Sequence, residues 1–163
     1  KSKEQGFLVN ASAELYPNIF VDGAFLSATG ELEGGAQPTQ RLMQAGAKYR
    51  VLSDEGLEVF AGGGWGTYDY KGSADVDGKG IFGKLGLRFD LHPAISLAGD
   101  ISYAPKFKSE AEDEGTLLSG RASLSYQVMD DLGVQATILY NTVDMGTNKV
   151  TSTLYGGGIV LRF

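Results

Sequence analysis

The sequence contains no cysteine and only one histidine among its 163 residues. Without cysteine, the chain has no disulfide framework, no cysteine zinc site and no thiol chemistry. No apolar run approaches the roughly 18–20 residues that a membrane-spanning helix needs. No basic segment followed by an apolar one stands at Lys1, so we expect that any export signal has already been removed. The 14 Lys and Arg residues against 20 Asp and Glu residues give a net charge of −6, which argues against nucleic acid as a partner.

Glycine, apolar residues and aromatic residues are plentiful. Glycine occupies 24 of the 163 positions, about twice its usual share of roughly 7%. These glycines follow no Gly-X-Y period, which excludes collagen. Apolar residues make up 42% of the chain and aromatic residues 10%, and this composition argues against disorder. The length fits one domain, so we predict a single domain over residues 1–163.

Apolar and polar residues alternate with a period of two along almost the whole chain. Between residues 81 and 91, for example, Leu85 and Leu87 share one face, whereas Lys84 and Arg88 share the other. This period indicates strands with one apolar face, and no stretch shows the 3.6-residue period of a helix. The sequence therefore predicts an all-β protein with nine strands. The predicted strands cover residues 6–16, 19–29, 41–52, 57–70, 80–91, 95–105, 116–128, 133–143 and 151–163.

The connections between these strands alternate strictly in length. Short turns lie near residues 17–18, 53–56, 92–94 and 129–132, and longer polar loops lie near residues 30–40, 71–79, 106–115 and 144–150. All short turns therefore lie at one end of the sheet and all long loops at the other. This organisation is typical of up-and-down outer-membrane barrels, whose tilted strands need about 9–11 residues to cross the bilayer. We therefore predict an up-and-down antiparallel transmembrane β-barrel.

A period of two does not by itself distinguish a membrane barrel from a water-soluble barrel that holds its apolar face inside. The charges on the polar face favour the membrane barrel, because six basic and five acidic groups lie in mid-strand and nearly cancel. A narrow lumen explains this balance, since buried charges must be paired. The predicted lumen network comprises Glu14, Asp22, Lys48, Arg50, Glu58, Lys84, Arg88, Asp90, Asp100, Arg121 and Arg162.

Aromatic residues recur near the ends of the apolar faces, while much of the negative charge lies in the long loops. Such rings suit the interface between water and lipid, where one side of the ring is wet. The predicted interface residues are Tyr49, Trp65, Tyr103, Tyr126, Tyr140 and Tyr155, and the same pattern includes Phe7, Phe107 and Phe163. A water-soluble all-β protein remains the alternative interpretation.

The last eight residues, Gly156–Phe163, resemble the C-terminal β-signal of bacterial outer-membrane proteins. The matching positions are Gly156, Gly158, Leu161 and Phe163, with glycine at the first position where the motif often has a polar residue. The segment Tyr16–Gly23 is similar to periplasmic hairpins of small porin-family and opacity-protein-like barrels. This resemblance implies a Gram-negative-type outer membrane as the location, membrane lipids as neighbours and the barrel-assembly machinery as a partner.

The number of predicted strands is odd, whereas bacterial single-chain barrels have even numbers. If Phe163 ends at the periplasmic side with the short turns, then residues 1–5 lie outside the cell with the long loops. We therefore expect ten strands in the complete barrel, with one strand supplied by an upstream segment or by a separate chain. The alternative is a barrel of eight strands in which residues 7–29 are misassigned.

No group of residues predicts a catalytic, cofactor or metal site. His92 lies in a turn without a nucleophile and an orienting acid beside it. Asp75 and Asp77 resemble the start of a calcium loop, but Lys79 stands at the next ligand position. The glycine-rich segment 62–66 lacks the Lys and Ser/Thr of a phosphate loop, so we assign it to a kinked strand. The sequence does not predict an enzyme.

The predicted function is that of a non-enzymatic integral outer-membrane barrel with a largely plugged, charge-paired lumen. About ten strands give a narrow bore, whereas clear aqueous channels appear at about 16–18 strands. Such a barrel would have a structural, adhesive or partner-docking role. Two alternatives stay open: a narrow pore or transporter for small solutes, and a soluble extracytoplasmic ligand-binding barrel.

Overall fold

Nine strands form one antiparallel sheet in the computed structural model, which describes residues 3–31, 37–72, 75–109, 114–129, 132–146 and 149–161. The strands are β1 (Lys3–Tyr16), β2 (Ile19–Glu31), β3 (Thr39–Asp54), β4 (Leu57–Lys71), β5 (Val76–His92), β6 (Ile95–Lys108), β7 (Glu114–Met129), β8 (Leu132–Asp144) and β9 (Lys149–Leu161). Each strand pairs with its neighbours in sequence, in the order β1 to β9. The predicted all-β, up-and-down architecture is confirmed.

The alternative of eight strands is wrong, because residues 7–29 form both β1 and β2. These two strands pair along their whole length, from Lys3 opposite Glu31 to Tyr16 opposite Ile19. Within the described residues, no helix has the length and hydrophobicity needed to cross a membrane.

The connections divide the sheet into two ends. Two-residue turns at 17–18, 55–56 and 93–94 join the strands at what we call the short-turn end, and β7 and β8 are connected at the same end through residues 130–131. Connections at 32–38, 72–75, 109–113 and 145–148 join them at what we call the long-loop end. The turn between β3 and β4 has positive φ at both residues, 34° at Glu55 and 86° at Gly56. Such a turn matches the right-handed twist of its flanking strands, which explains the tight hairpin.

The sheet curls so that its apolar face is convex and its polar face is concave. On β5, the Leu85 side chain is 66% exposed, whereas its neighbour Lys84 is buried. On β7, Leu124 is exposed and Ser123 is buried in the same alternating manner. The faces therefore follow the period of two, and the polar face is the one that is enclosed.

Closely packed glycines allow the sharp curl between β3 and β4. A side chain at Gly62 would collide with the backbone oxygen of Ala47, and one at Gly64 with the backbone oxygen of Ala45. Only glycine fits at these two positions without moving the backbone. The segment 62–66 lies within β4, so the backbone there is that of a bent strand.

The curled sheet does not close into a complete barrel. Some Cα atoms of β1 lie within 8 Å of β9, but no hydrogen-bonded ladder joins these two strands within the described residues. Both strands run from the long-loop end to the short-turn end. Because successive strands alternate in direction, the first and the ninth run the same way. The result is a half-barrel with two free edges that face each other.

Candidate functional site: the interior of the curled sheet

Charged side chains from four different strands meet in the middle of the concave face. Lys84 Nζ lies 2.7 Å from Asp22 Oδ2 and 3.7 Å from Asp100 Oδ1. Arg121 binds the same Asp100 carboxylate, with its Nε 2.7 Å from Oδ2, and its Nη1 donates a hydrogen bond to the Asn10 side-chain oxygen. These contacts tie β2, β5, β6 and β7 together across the interior, and Asn10 extends them to β1.

Lys48 completes this group as a third cation. Its Nζ lies 5.0 Å from the centre of the Phe60 ring and 5.6 Å from that of Phe20, a geometry in which the ring faces attract the ammonium group. No carboxylate among the described residues forms an ion pair with it. We call Asp22, Lys48, Lys84, Asp100 and Arg121 the central ion cluster. Three cations and two carboxylates give this cluster a formal charge of +1.

A second ionic group lies beside the two-residue turns. Arg50 is its centre: Nη1 lies 2.6 Å from Glu58 Oε1, and Nε donates to the Asn18 side-chain oxygen at 2.9 Å. Arg88 lies 3.0 Å from Asp90 and 3.9 Å from Glu58. We call Glu14, Asn18, Arg50, Glu58, Arg88 and Asp90 the short-turn cluster. It anchors the turn at 17–18 to β3 and β4.

The half of the interior towards the long-loop end is mainly apolar, with a few buried polar side chains such as Gln40 and Asn141. Phe107 and Val143 are fully buried there, and Tyr68 is 1% exposed. We call the whole set the apolar plug, and its members are Leu26, Ala28, Leu42, Tyr68, Val76, Phe82, Ala104, Phe107, Leu117, Leu139, Val143 and Leu154. The interior therefore has two layers, with the ionic clusters towards the short turns and the apolar plug towards the long loops.

The prediction that Phe107 lies at the lipid interface is wrong. Tyr103 and Phe107 share a parity in the sequence, yet Tyr103 is exposed and Phe107 is buried. The register between β6 and β7 shifts between Ala104 and Phe107, and such a bulge moves the following side chains to the opposite face. Pro105 lies inside this bulge, and a proline within a strand is the sequence feature that could have revealed it.

Little space remains inside the curled sheet. A cavity of about 10 Å³, lined by Leu26, Gln44, Asp100 and Arg121 among others, is close to the smallest volume that holds one water molecule. Polar side chains also bridge the interior: Gln40 donates to Ser152 at 3.0 Å, and Gln44 to Ser102 at 3.2 Å. These side chains thus occupy the middle of the lumen.

The predicted site residues fall into three groups. Ten of the eleven predicted lumen charges lie on the concave face, and the eleventh, Arg162, lies outside the described residues. The six predicted interface aromatics lie on the convex face with exposures between 43% and 77%. Of the predicted C-terminal motif, Gly156 and Gly158 are exposed in β9, Leu161 ends that strand, and Phe163 lies outside the described residues.

Outside the two ionic clusters, side chains suited to catalysis or metal binding do not come together in the part of the chain that the structure describes. No set of three or more His, Asp or Glu residues there could hold a metal ion. His92 Nδ1 accepts a hydrogen bond from the Ala94 backbone N–H at 3.2 Å, so its ring takes part in the turn.

No family model matches the chain, and no characterised protein matches it at a significant level. Functional inference therefore depends on the geometry of the sheet.

Proposed function

We propose that the chain is an integral β-barrel protein of a bacterial outer membrane, without enzymatic activity and with a closed lumen. The observation that carries this proposal is the distribution of polarity. Ile81, Leu85 and Ile101 are 76%, 66% and 61% exposed on the convex face, while the ionic clusters lie inside. Large exposed apolar surfaces on a soluble monomer are rare and mark contacts with lipid or protein. Here the apolar surface continues from strand to strand.

The height of the apolar surface supports the same proposal. On β5 it extends from Ile81 to Leu91. A rise of about 3.3 Å per residue gives roughly 33 Å along the strand. At the tilt of about 35–45° that outer-membrane strands adopt, this length spans about 25 Å of membrane, which equals the apolar band of such barrels. The convex face therefore fits the thickness of a bilayer.

The orientation follows from the resemblance of the C-terminal segment to an outer-membrane assembly motif. The short-turn end and the C-terminus would face the periplasm, and the long-loop end and residues 1–5 would face outwards. Membrane lipids would contact the convex face, and the barrel-assembly machinery would insert the chain. The exposed aromatics Tyr49, Trp65 and Tyr155 would then lie near the water–lipid boundaries.

The filled interior supports a structural, adhesive or partner-docking role over transport. An ion that crosses the lumen would have to pass the apolar plug, and burying an unpaired charge there costs several kcal/mol at the least. In planar bilayers, we expect the purified protein to give no steady conductance steps. Reproducible steps of one size would contradict the closed lumen and support the narrow pore instead.

Membrane insertion is tested with Trp65, the only tryptophan of the chain. It lies on the convex face of β4 and is 47% exposed. We expect brominated lipids to quench its fluorescence strongly in vesicles that contain the folded protein, and cell fractionation to place the protein in the outer membrane. A protein that stays monomeric in buffer without detergent, with Trp65 shielded from the lipid quencher, would support the soluble barrel instead.

A further inference from the structure

The two free edges of the sheet cannot pair with each other in the way that its other strands do. Both β1 and β9 run from the long-loop end to the short-turn end, while all eight observed ladders are antiparallel. About half of the backbone N–H and C=O groups of each edge strand point into the gap between them. Inside a bilayer, each unpaired group of this kind costs several kcal/mol. The edges therefore need a partner.

The exposure of the concave side chains shows where the gap is widest. On β9, Ser152 and Leu154 are buried, whereas Gly156 and Gly158 further towards the short-turn end are exposed. On β1, Leu8 is half-buried, whereas the concave residues Asn10, Ser12 and Glu14 are exposed. The gap is thus a wedge that opens towards the short-turn end. We call it the β1–β9 seam.

We propose that the β1–β9 seam holds a tenth strand, formed by the polypeptide segment that immediately precedes Lys1. This inference rests on the proposed function, because the cost of unpaired edges is decisive only in lipid. The strand would run from the short-turn end to the long-loop end, antiparallel to both β1 and β9. Because an intervening strand separates its two neighbours by about 9–10 Å, it would move β1 and β9 apart where their Cα atoms now lie within 8 Å of each other. It would have at least about 9–11 residues, with apolar side chains towards lipid and polar or small ones towards the lumen.

A second copy of the same sheet does not fit the seam. Copies that are inserted in one orientation offer only β1 and β9 as free edges. Both run from the long-loop end to the short-turn end, whereas the tenth strand must run the other way. An edge of a neighbouring copy would therefore pair in parallel, unlike every ladder in this sheet.

The turn chemistry favours an upstream segment over a downstream one. A strand that followed β9 would need a turn at the short-turn end, where the three described turns use Pro-Asn, Glu-Gly and Pro-Ala. The pair after β9 is Arg162-Phe163, which contains none of the residues that favour turns. A strand before β1 would instead connect at the long-loop end, where connections are polar and four to seven residues long. Lys1 and Ser2, which precede β1, have this polar composition.

The experiment uses the protein as purified from its own outer membrane, with intact mass and N-terminal sequencing as the first measurement. We expect a mass above the 17.3 kDa of residues 1–163 by about 1 kDa or more, the mass of a strand of about 9–11 residues. A mature protein that begins at Lys1 would overturn the proposal.

The second measurement uses the absence of cysteine from residues 1–163. Ser12→Cys is combined with one cysteine at each position of the upstream segment in turn, and disulfide formation is followed on non-reducing gels. Directly opposed residues on neighbouring strands lie about 4.5–5.5 Å apart at Cα, within the range of a disulfide. We expect one or two adjacent positions to cross-link. Leu85→Cys on β5 replaces Ser12→Cys as the control and should give no cross-link.

Two results would overturn the proposal while the protein remains in the outer membrane. One is the absence of a cross-link at every upstream position. The other is a disulfide between Ser12→Cys and Gly158→Cys, because an intervening strand keeps β1 and β9 about 9–10 Å apart, beyond the reach of a disulfide. In both cases the proposed membrane location would stand. A protein recovered only from the soluble fraction would instead contradict the proposed function itself.

Discussion

Replacing Asp100 by asparagine would test whether the lumen is closed to bulk water. Asp100 accepts contacts from both Lys84 and Arg121 at the centre of the ion cluster. The substitution preserves the shape of the side chain but removes its charge, so the formal charge of the cluster changes from +1 to +2. Lys84 is then left with Asp22 alone, and Arg121 with a neutral partner.

The expected cost follows from burial. The side chains of Asp100 and Arg121 are both 19% exposed, and that of Lys84 is 8% exposed. Removing one partner of a buried ion pair lowers the free energy of unfolding by about 3–5 kcal/mol. Because these side chains keep some exposure, we expect Asp100→Asn to lower it by about 3 kcal/mol. The matched control is Asp90→Asn in the short-turn cluster, where Asp90 is 40% exposed beside Arg88. An exposed pair of that kind contributes about 0–1 kcal/mol.

The assay is urea unfolding of the protein refolded in lipid vesicles, followed by Trp65 fluorescence. With a dependence of about 1–3 kcal/mol per M of urea, a loss of 3 kcal/mol lowers the midpoint by about 1–3 M. The double variant Asp100→Asn/Arg121→Met returns the cluster to +1 and should recover much of this loss. Equal effects of Asp100→Asn and Asp90→Asn, within about 0.5 kcal/mol, would mean that bulk water screens the central ion cluster. That result would refute the closed lumen.

Five other substitutions, two of them controls, are checked by the same unfolding assay. Leu85→Arg, in the middle of the apolar band, should cost about 2–4 kcal/mol and Leu91→Arg, at its margin, about 0–1 kcal/mol; equal tolerance of both would favour a soluble barrel. Gly64→Ala should cost about 1–3 kcal/mol, because its Cβ meets the backbone of β3, whereas Gly83→Ala points into open space and should stay within about 0.5 kcal/mol. Phe107→Ala should cost about 3–5 kcal/mol, and an unchanged midpoint would contradict the apolar plug.

The strands and their faces could be predicted because the alternation of polarity is nearly unbroken. In β5, each residue from Gly83 to Phe89 lies on the face that the period of two assigns to it. Two-residue turns such as Glu55-Gly56 carry their own turn chemistry. The order of the strands then follows, because consecutive antiparallel strands with short connections pair with each other.

The packing of the interior could not be predicted in the same way. Asp22 and Lys84 are 62 positions apart in the chain, and their contact depends on how the curl of four strands brings opposite walls together. A period of two contains no information on that curl. The apolar plug was missed for a related reason: Tyr68 and Phe82 lie on the polar face of their strands, and Phe107 reaches it through a bulge.

Both layers of the interior contribute to stability, but they differ in their expected effect on permeability. The central ion cluster joins β2, β5, β6 and β7 through its ion pairs. The apolar plug offers an ion no compensating charge, so in the proposed membrane barrel the main barrier to conduction would lie there. In planar bilayers, Phe107→Ala should therefore raise the frequency of conductance events, whereas Asp100→Asn should lower stability without opening a path. Conductance gained by Asp100→Asn alone would move the barrier to the ionic layer and contradict this assignment.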